Sequence, residues 1–533
     1  MNYVGTARPI HDAKGKATGY TKYAGDLSLP NMAYLCMLHS KIPHGYVKAV
    51  HAEKALALPG VYGVYHCLNT SDRKYNRYRS SFNQAYLANE ERAFNQYVRF
   101  VGDKIGAVAA CDQETAERAA RLVEVEYEEL PFSIGFDDTL AGKNCLEGET
   151  PVRDEYTLEV GKKQESTEGL IEVCSTMELP RLHHATMETH ACIADYDPYS
   201  DMLTVYCPNQ AVHGIRTVLA DFLEMPESHV RVVKATMGGS FGAKQEWFLE
   251  PVTALVAKKL CRPVKLVYSR GEAMTDTIVR GAMRMSARGY YTPDGEMKEI
   301  YCDVTLDAGA YIGNAGDYVR ALAGKPTRCY RIPYMHYHGQ VISSNSPVSG
   351  AFRSWSAAEE ALMMERQLDA AAEKLGMDRL AIRLKNVARS GEEDKKLHLS
   401  LEDIRIGDAI TLGSEKFGWD KLKAEDAAFN ASQQRYRRGV GIGIGGHGNT
   451  YFPRFNDYGE GSISLNADGS MQANFTLHDH GCGTVEAFRM MIAEALSLQP
   501  EQIFLGEGDT ALTPFDPGCF SSRTTFVLGQ TAL

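Results

Sequence analysis

Three closely spaced glycines, at positions 238, 239 and 242, lie between an apolar run and a segment with a helical pattern. Glycine lets the backbone come close to a ligand, and the first turn of a helix carries a partial positive charge. The pattern therefore predicts a strand, a loop and a helix that together hold an anionic cofactor. Gln245 follows Lys244 where a P-loop would have Ser or Thr, and the G-x-G-x-x-G spacing of a dinucleotide fold is absent from this loop.

Other short motifs accompany this loop in a fixed order. A Cys-Pro-Asn-Gln motif ends at Gln210, a Gly-Ala-Phe-Arg motif ends at Arg353, and a Phe-Ser-Ser-Arg motif occupies 520–523. In this order and at these separations, the motifs resemble those of the molybdenum-cofactor subunit of the xanthine dehydrogenase and aldehyde oxidase family. The resemblance extends from Gly5 to the end of the sequence, and several independent motifs carry it.

The resemblance implies roles for individual residues near the cofactor. Gln210 and Arg353 correspond to catalytic positions, and Gln210, Phe241, Arg353 and Ser521 to positions next to the molybdenum. Cys482 stands where the family has a glutamine in a pterin-binding loop. The residues assigned to cofactor binding on this basis are Gln210, Gly239, Phe241, Gly242, Arg353, Cys482, Phe520, Ser521 and Ser522.

Four further residues match positions that contact substrate in the family. Gln245 stands where purine-specific members have a glutamate, so the resemblance leaves purine oxidation open. Arg320 matches a substrate-orienting arginine, although its distance to the next motif differs by one residue. Trp355 and Tyr451 match two aromatic residues that sandwich the substrate, with Phe452 one position along as the alternative to Tyr451.

The amino-acid composition limits which class of protein this chain can belong to and which partners it can bind. The chain has 533 residues, 44% of them hydrophobic and 23% charged, which is typical of a globular protein with several domains. Its net charge of −11 argues against a nucleic-acid partner, and neither a membrane-spanning segment nor a signal peptide is predicted, so we expect a cytoplasmic protein. The twelve cysteines form no C-x-x-C pair, and neither the histidines of 183–190 nor His478 and His480 have the ligand spacing of a zinc site.

Periodicity divides the chain into three regions of an α+β protein. Residues 1–140 alternate strand and helix signals, as in the hammerhead domain of the family. Residues 141–395 contain the glycine loop and a long predicted helix at 357–375, which corresponds to the first part of the molybdopterin-binding region. Residues 396–533 correspond to an incomplete second part, which begins with a charged helical segment and a glycine-rich strand predicted at 439–445.

The family resemblance implies a molybdenum hydroxylase that oxidises an N-heterocycle, such as a xanthine- or hypoxanthine-like purine, or an aldehyde, with water as the oxygen source. It further implies molybdopterin, expected as the cytosine dinucleotide, and partner subunits that carry 2Fe–2S clusters and FAD. Family members use a glutamate near the end of a longer subunit as general base. No such glutamate can be assigned here, so we expect a second chain or an extension to supply it. A reductive enzyme acting on an aromatic thioester and a catalytically silent cofactor-binding or assembly chain are the alternatives.

Overall fold

The structure, a computed structural model, describes residues 3–78, 89–146, 150–432, 435–451 and 456–533. It confirms the α+β class, since long helices and several sheets are both present. Within the described residues, the longest helices are Val212–Leu223, Glu250–Leu260, Ala357–Leu375, Ile406–Phe417, Trp419–Ser432 and Thr484–Leu496. None of the described helices is long and apolar enough to cross a membrane.

The first sheet joins the N-terminal region to the glycine-loop region. Among the described residues its strands are, in spatial order, Val230–Lys234, Met202–Cys207, Ala191–Asp197, Val264–Val267, Ala33–His39, Lys104–Ala110 and Val61–His66. Ala33 pairs with Val264 in parallel register, so the two regions share one continuous sheet. The helices Val212–Leu223 and Glu250–Leu260 pack on its face and bury a single apolar core. A small sheet at the N-terminal end contains Tyr97–Val98, Gly45–His51 and Glu124–Glu129.

The second large sheet carries the loop that contains Arg353. Its described strands are, in spatial order, Ile171–Leu179, Ala282–Tyr291, Met297–Asp307, Tyr334–Ile342 and Val152–Gly161. The helix Ala357–Leu375, which the sequence predicted with the same bounds, packs against this sheet through Met363, Met364 and Leu368. Shorter helices around this sheet are Ala315–Ala323, Pro326–Cys329 and Arg379–Asn386.

The C-terminal region forms a separate small core. Within the described part, the strands Gly461–Leu465, Met471–Phe475 and Ile503–Gly506 form a sheet against which the helix Thr484–Leu496 packs. The shorter described elements elsewhere are the helices Ala13–Thr18, Glu53–Leu56, Gln113–Ala120, Phe136–Leu140, Arg270–Asp276 and Gly529–Ala532, the 3-10 turns Ala24–Asp26, Glu227–His229 and Pro500–Gln502, the π turn Thr524–Leu528, and the strand pairs Lys74–Tyr75 with Glu91–Arg92 and Glu393–Asp394 with Leu399–Ser400.

Two predicted elements are wrong in detail. The helix after the glycine loop begins at Glu250 rather than directly after Gln245, because 246–249 first bury Trp247 beneath the helix Val212–Leu223. That packing is close, since a Cβ at Gly214 would lie 2.9 Å from the indole ring. The segment 439–445 is not a strand, because it runs extended along the helix Ala357–Leu375 and pairs with no described strand.

Candidate functional site

Segments that are far apart in sequence meet around one cavity of about 220 Å³. They are the connection that follows the strand Met202–Cys207, the glycine loop, the loop before the helix Ala357–Leu375, the segment near 447–451, and the turn at 519–522. The described residues that line the cavity are Tyr78, Gln210, Phe241, Gly242, Gln245, Ala351, Phe352, Arg353, Ser354, Trp355, His447, Tyr451, His480, Cys519, Phe520, Ser521 and Ser522. The cavity therefore brings together most of the residues that the sequence motifs singled out.

Gln210 ties three of these segments together. Its side chain is buried, its amide nitrogen Nε2 donates a hydrogen bond to the carbonyl of Cys519 at 2.6 Å, and its Oε1 accepts one from the hydroxyl of Ser240. Its backbone N–H donates to the carbonyl of Lys244 at 2.9 Å, and the N–H of Cys519 donates to the backbone carbonyl of Gln210 at 2.9 Å. An amide nitrogen carries two hydrogens, so one N–H of Gln210 remains for a ligand in the cavity.

The backbone at the cavity wall is held in an unusual conformation. Phe241, Ser521 and Ser522 have φ angles of 56°, 47° and 50°, and Gly242 has 106°. Positive φ costs free energy in residues other than glycine, and such strain concentrates at ligand sites. Within the described part of the chain, the backbone N–H groups of these four residues donate to no acceptor. Two consecutive pairs of residues with open N–H groups thus line a common cavity, and successive backbone N–H groups of this kind can bind anionic oxygen atoms.

The loop that contains Arg353 interlocks with the glycine loop. The N–H of Arg353 donates to the carbonyl of Phe241 at 2.8 Å, and a Cβ added to Gly242 would lie 2.4 Å from the carbonyl oxygen of Ala351. Only glycine therefore fits at 242. Arg353 is exposed and lines the cavity, and no described carboxylate lies within ion-pair distance of its side chain. No Asp or Glu is among the described residues that line the cavity, so its charge favours an anionic ligand.

Side chains of the segment 184–190 form hydrogen bonds with both the glycine loop and the loop that contains Arg353. Glu188 accepts hydrogen bonds from the ammonium of Lys244 at 2.5 Å and from the N–H of Gly238 at 2.7 Å. His190 donates from Nε2 to the carbonyl of Ala243 at 3.0 Å, and His184 donates from Nε2 to a carbonyl of the Arg353 loop at 2.8 Å.

These two histidines are neutral hydrogen-bond donors. Burial lowers the pKa of His184 to about 4 and that of His190 to about 3, so neither is charged near pH 7. The described residues contain no group of three or more His, Cys, Asp or Glu that could hold a metal ion.

Three of the four predicted substrate contacts share the cavity. Gln245, Trp355 and Tyr451 all line it. The indole of Trp355 packs edge-on against Tyr318 with ring centroids 5.6 Å apart, and Tyr451 packs edge-on against Phe520 at 6.4 Å. Phe452, the alternative to Tyr451, lies outside the described residues. Each of the two aromatic residues is therefore held by a neighbouring ring at the wall of the cavity.

Arg320 does not join this group, and its predicted placement beside the other three is wrong. Its guanidinium forms two hydrogen bonds with Asp154, at 2.5 and 2.8 Å, and it is not among the residues that line the cavity. The physical reason is the nearby carboxylate on the strand Val152–Gly161, which turns the side chain outward. The one-residue difference in motif spacing is consistent with this outcome.

Gly239 and Cys482 lie beside the cavity without lining it. Gly239 has a φ of 90° and supports Phe241, whose ring would lie 3.3 Å from a Cβ at that position. The thiol of Cys482 lies 2.9 Å from the hydroxyl of Thr484, and its N–H donates to Asp479 at 3.1 Å. Several N–H groups of this turn bond to Asp479 and contribute to the lowering of the pKa of its carboxyl group.

Sequence reasoning missed several residues that the structure brings to the site. Tyr78 and His447 line the cavity, and His480 lines it from a turn whose sequence had raised only the question of a metal. Arg523 is fully buried and forms ion pairs with Asp457 at 2.8 Å and with Asp516 at 2.6 Å, which holds the 519–522 turn in place. No local sequence signal marks Tyr78 or His447, because their position depends on long-range packing.

Comparison with known protein families gives matches along most of the chain. Residues 18–131 match the aldehyde oxidase and xanthine dehydrogenase a/b hammerhead domain. Residues 149–387 and residues 412–533 each match a molybdopterin cofactor-binding domain. The three matched stretches contain all of the described residues that line the cavity.

Individual relatives agree with these matches. The chain is 29% identical over 532 residues to the xanthine dehydrogenase molybdenum-binding subunit of Escherichia coli O157:H7, covering 97% of this chain and 69% of the relative. It is 31% identical over 533 residues to a probable xanthine dehydrogenase subunit of Bacillus subtilis strain 168, covering 98% of this chain and 68% of the relative. The solved structure of aldehyde oxidoreductase from Desulfovibrio gigas superposes with a TM-score of 0.86 at 25% identity, covering 99% of this chain and 58% of that one.

Proposed function

The chain belongs to the molybdenum-cofactor-binding large subunits of the xanthine dehydrogenase and aldehyde oxidase family, and we propose that it forms the site of a molybdenum hydroxylase that oxidises an N-heterocycle or an aldehyde. The observation that carries this proposal is the convergence of Gln210, the glycine loop, Arg353 and the 519–522 turn on one cavity. The relatives named xanthine dehydrogenase and aldehyde oxidoreductase support the two substrate classes.

The residues at the cavity fit an anionic, oxygen-rich cofactor. We propose that the remaining N–H of Gln210 and the backbone N–H groups of Phe241, Gly242, Ser521 and Ser522 hold its oxygen ligands. Fixed backbone dipoles need no reorganisation when charge develops on those oxygens. Arg353 supplies a positive charge at the same cavity. A molybdopterin cofactor bound there, proposed as the cytosine dinucleotide, would supply two-electron oxidation of the substrate with water as the source of oxygen.

The substrate side of the cavity is aromatic and neutral. Trp355 and Tyr451 offer ring faces between which a planar substrate can stack, and Gln245 offers one hydrogen-bond donor and one acceptor. Stacking and hydrogen bonding together orient the substrate carbon toward the cofactor and exclude water from it. Orientation of this kind is a large part of catalysis when two reactants must meet in one geometry.

Partner chains complete the proposed enzyme. The described residues contain no cluster of metal ligands, so we propose that electrons leave through a 2Fe–2S subunit to an FAD subunit. The names of the relatives, which call them subunits, support a multi-subunit assembly. No carboxylate lines the described cavity, so we propose that a glutamate from a second chain or an extension acts as the general base.

Cofactor content tests this proposal directly. In the enzyme purified with its partner subunits, we expect about one molybdenum and one pterin nucleotide per chain. Gly242→Ala should remove most of the molybdenum, because the new methyl group would lie 2.4 Å from a carbonyl oxygen in a backbone conformation that alanine rarely adopts. Gly413→Ala is the matched control, since a Cβ there meets no atom within 4 Å.

Turnover then separates the proposed function from its alternatives. Oxidation of hypoxanthine or benzaldehyde, with oxygen from labelled water in the product, is the expected result. Molybdenum without turnover of any substrate would favour a silent cofactor-binding chain. Absence of molybdenum and pterin from the intact assembly, or equal molybdenum content in Gly242→Ala and the native protein, would contradict the proposed site.

A further inference from the structure

One polar side chain at the cavity has no role in the site described above. His447 lies in the extended segment that runs along the helix Ala357–Leu375, and its imidazole lines the cavity. The segment is closely packed, since a Cβ at Gly446 would lie 2.8 Å from the sulfur of Cys329 and one at Gly445 would lie 3.5 Å from Ala361. The position of His447 is therefore fixed by its neighbours.

The surroundings of His447 keep the imidazole neutral. Partial burial lowers its pKa below the usual value, and the positive charges of Lys325 and Arg328 lower it further. Lys325 is itself anchored by a hydrogen bond of 2.6 Å from its ammonium to the carbonyl of Trp355. A neutral imidazole presents one nitrogen as a donor and the other as an acceptor. His447 can thus both give and receive a hydrogen bond at the cavity.

Two of the polar side chains that line the cavity are neutral and can both donate and accept hydrogen bonds. Gln245 and His447 each offer one donor and one acceptor, and they share the cavity with the aromatic rings of Trp355 and Tyr451. A planar heterocycle has ring N–H groups, ring nitrogens and carbonyl oxygens in its plane, so it can pair with two such residues while its faces stack. An aldehyde group offers a single acceptor and leaves most of these donors and acceptors without a partner, which costs free energy.

We propose that His447 is a specificity-determining residue that acts with Gln245 to select neutral N-heterocycles over aldehydes. The proposal rests on the proposed function, because it takes the cavity to be the substrate site of a molybdenum hydroxylase. His447 acts by orienting the heterocycle, and no covalent step at the imidazole is involved.

Kinetics of the holoenzyme with hypoxanthine and with benzaldehyde test the proposal. We expect His447→Phe, which keeps a ring and removes both hydrogen-bonding atoms, to lower kcat/KM for hypoxanthine by about tenfold to a hundredfold. For benzaldehyde the change should stay below about threefold. His447→Asn, which keeps a donor and an acceptor, should recover part of the loss. The control is His336→Phe, because His336 lies on the strand Tyr334–Ile342 and does not line the cavity. This variant should leave kcat/KM unchanged for both substrates.

A binding measurement separates failure of this proposal from failure of the proposed function. In the dithionite-reduced holoenzyme, which accepts no further electrons, hypoxanthine binding is measured by equilibrium dialysis. We expect His447→Phe to raise its Kd by about tenfold or more. An unchanged Kd, an equal loss of kcat/KM for both substrates, or a native enzyme that binds no hypoxanthine and oxidises only benzaldehyde would overturn the role of His447. A native enzyme that binds hypoxanthine but lacks molybdenum and all turnover would instead contradict the proposed function.

Discussion

Removal of the charge on Glu188 should loosen the glycine loop. Glu188 is the ion-pair partner of Lys244, whose side chain is 1% exposed, and it also accepts the N–H of Gly238. In Glu188→Gln the amide oxygen can still accept hydrogen bonds, but more weakly than a carboxylate, and the buried ammonium loses its counter-charge. Both anchors of the loop that contributes the Phe241 and Gly242 N–H groups are weakened together.

The magnitude follows from the burial of Lys244. Breaking a buried ion pair by removing one partner costs about 3–5 kcal/mol, because an uncompensated charge remains. This cost has an upper limit, because the ammonium of Lys244 can lose its proton instead of remaining charged. Removing the proton from a lysine of ordinary pKa about 10.4 at pH 7.5 costs about 4 kcal/mol. We therefore expect a loss of about 3–4 kcal/mol, which for a cooperative unit of 150–250 residues lowers Tm by about 6–16 °C.

A double-mutant cycle followed by thermal unfolding and molybdenum content checks this reasoning. The double variant Glu188→Gln with Lys244→Met removes the buried charge and should recover more than half of the lost Tm, whereas Glu188→Gln alone should also lose cofactor. In Glu188→Gln the unfolded state binds more protons than the folded state, because Lys244 is harder to protonate when it is buried without a counter-charge. The loss of Tm relative to the native protein should therefore shrink as the pH rises from 7.5 toward 10. Glu128→Gln, which breaks the exposed pair with Lys48, should move Tm by less than about 2 °C.

A double variant as unstable as Glu188→Gln alone would show that the loss of Tm does not arise from an unpaired ammonium. A loss of Tm that grows as the pH rises would show the same. Loss of Tm without any loss of molybdenum would contradict the claim that this ion pair positions the cofactor loop.

Three further predictions address other residues. Arg320→Ala should leave kcat/KM for hypoxanthine within about twofold of the native value, because its guanidinium is paired with Asp154 outside the cavity; a larger loss would contradict this placement. His184 and His190 are neutral in the folded protein and become protonated on unfolding in acid. The stability that they contribute above pH 6.5 should therefore be lost as the pH falls toward 4, and the loss for the pair should be about 4 kcal/mol at pH 5. Thermal unfolding measured across this pH range checks the loss. Gln245→Glu should shift the ratio of kcat/KM values toward hypoxanthine over benzaldehyde by about 1–3 kcal/mol, and an unchanged ratio would exclude Gln245 as a substrate contact.

The sequence alone was sufficient for the family, the fold class and most of the residues that meet at the cavity. Gln210, Phe241, Gly242 and Arg353 lie in short motifs whose residue types depend on local backbone geometry, such as the glycine that alone fits beside the carbonyl of Ala351. The helix Ala357–Leu375 was predicted with its observed bounds because the segment is rich in Ala, Leu, Met and Glu, which have high helix propensity. Local requirements of this kind leave a pattern in the chain.

Tertiary structure decided the features that depend on which segments meet. The presence of Asp154 beside Arg320 turned that arginine away from the cavity, and packing of an extended segment on a helix brought His447 into it and prevented the predicted strand at 439–445. Glu188 and Lys244 are 56 residues apart, and nothing in their local sequence predicts that they share a buried ion pair. The partner of a side chain depends on contacts between segments that are distant in sequence, whereas a sequence motif reflects only the local backbone conformation that it requires.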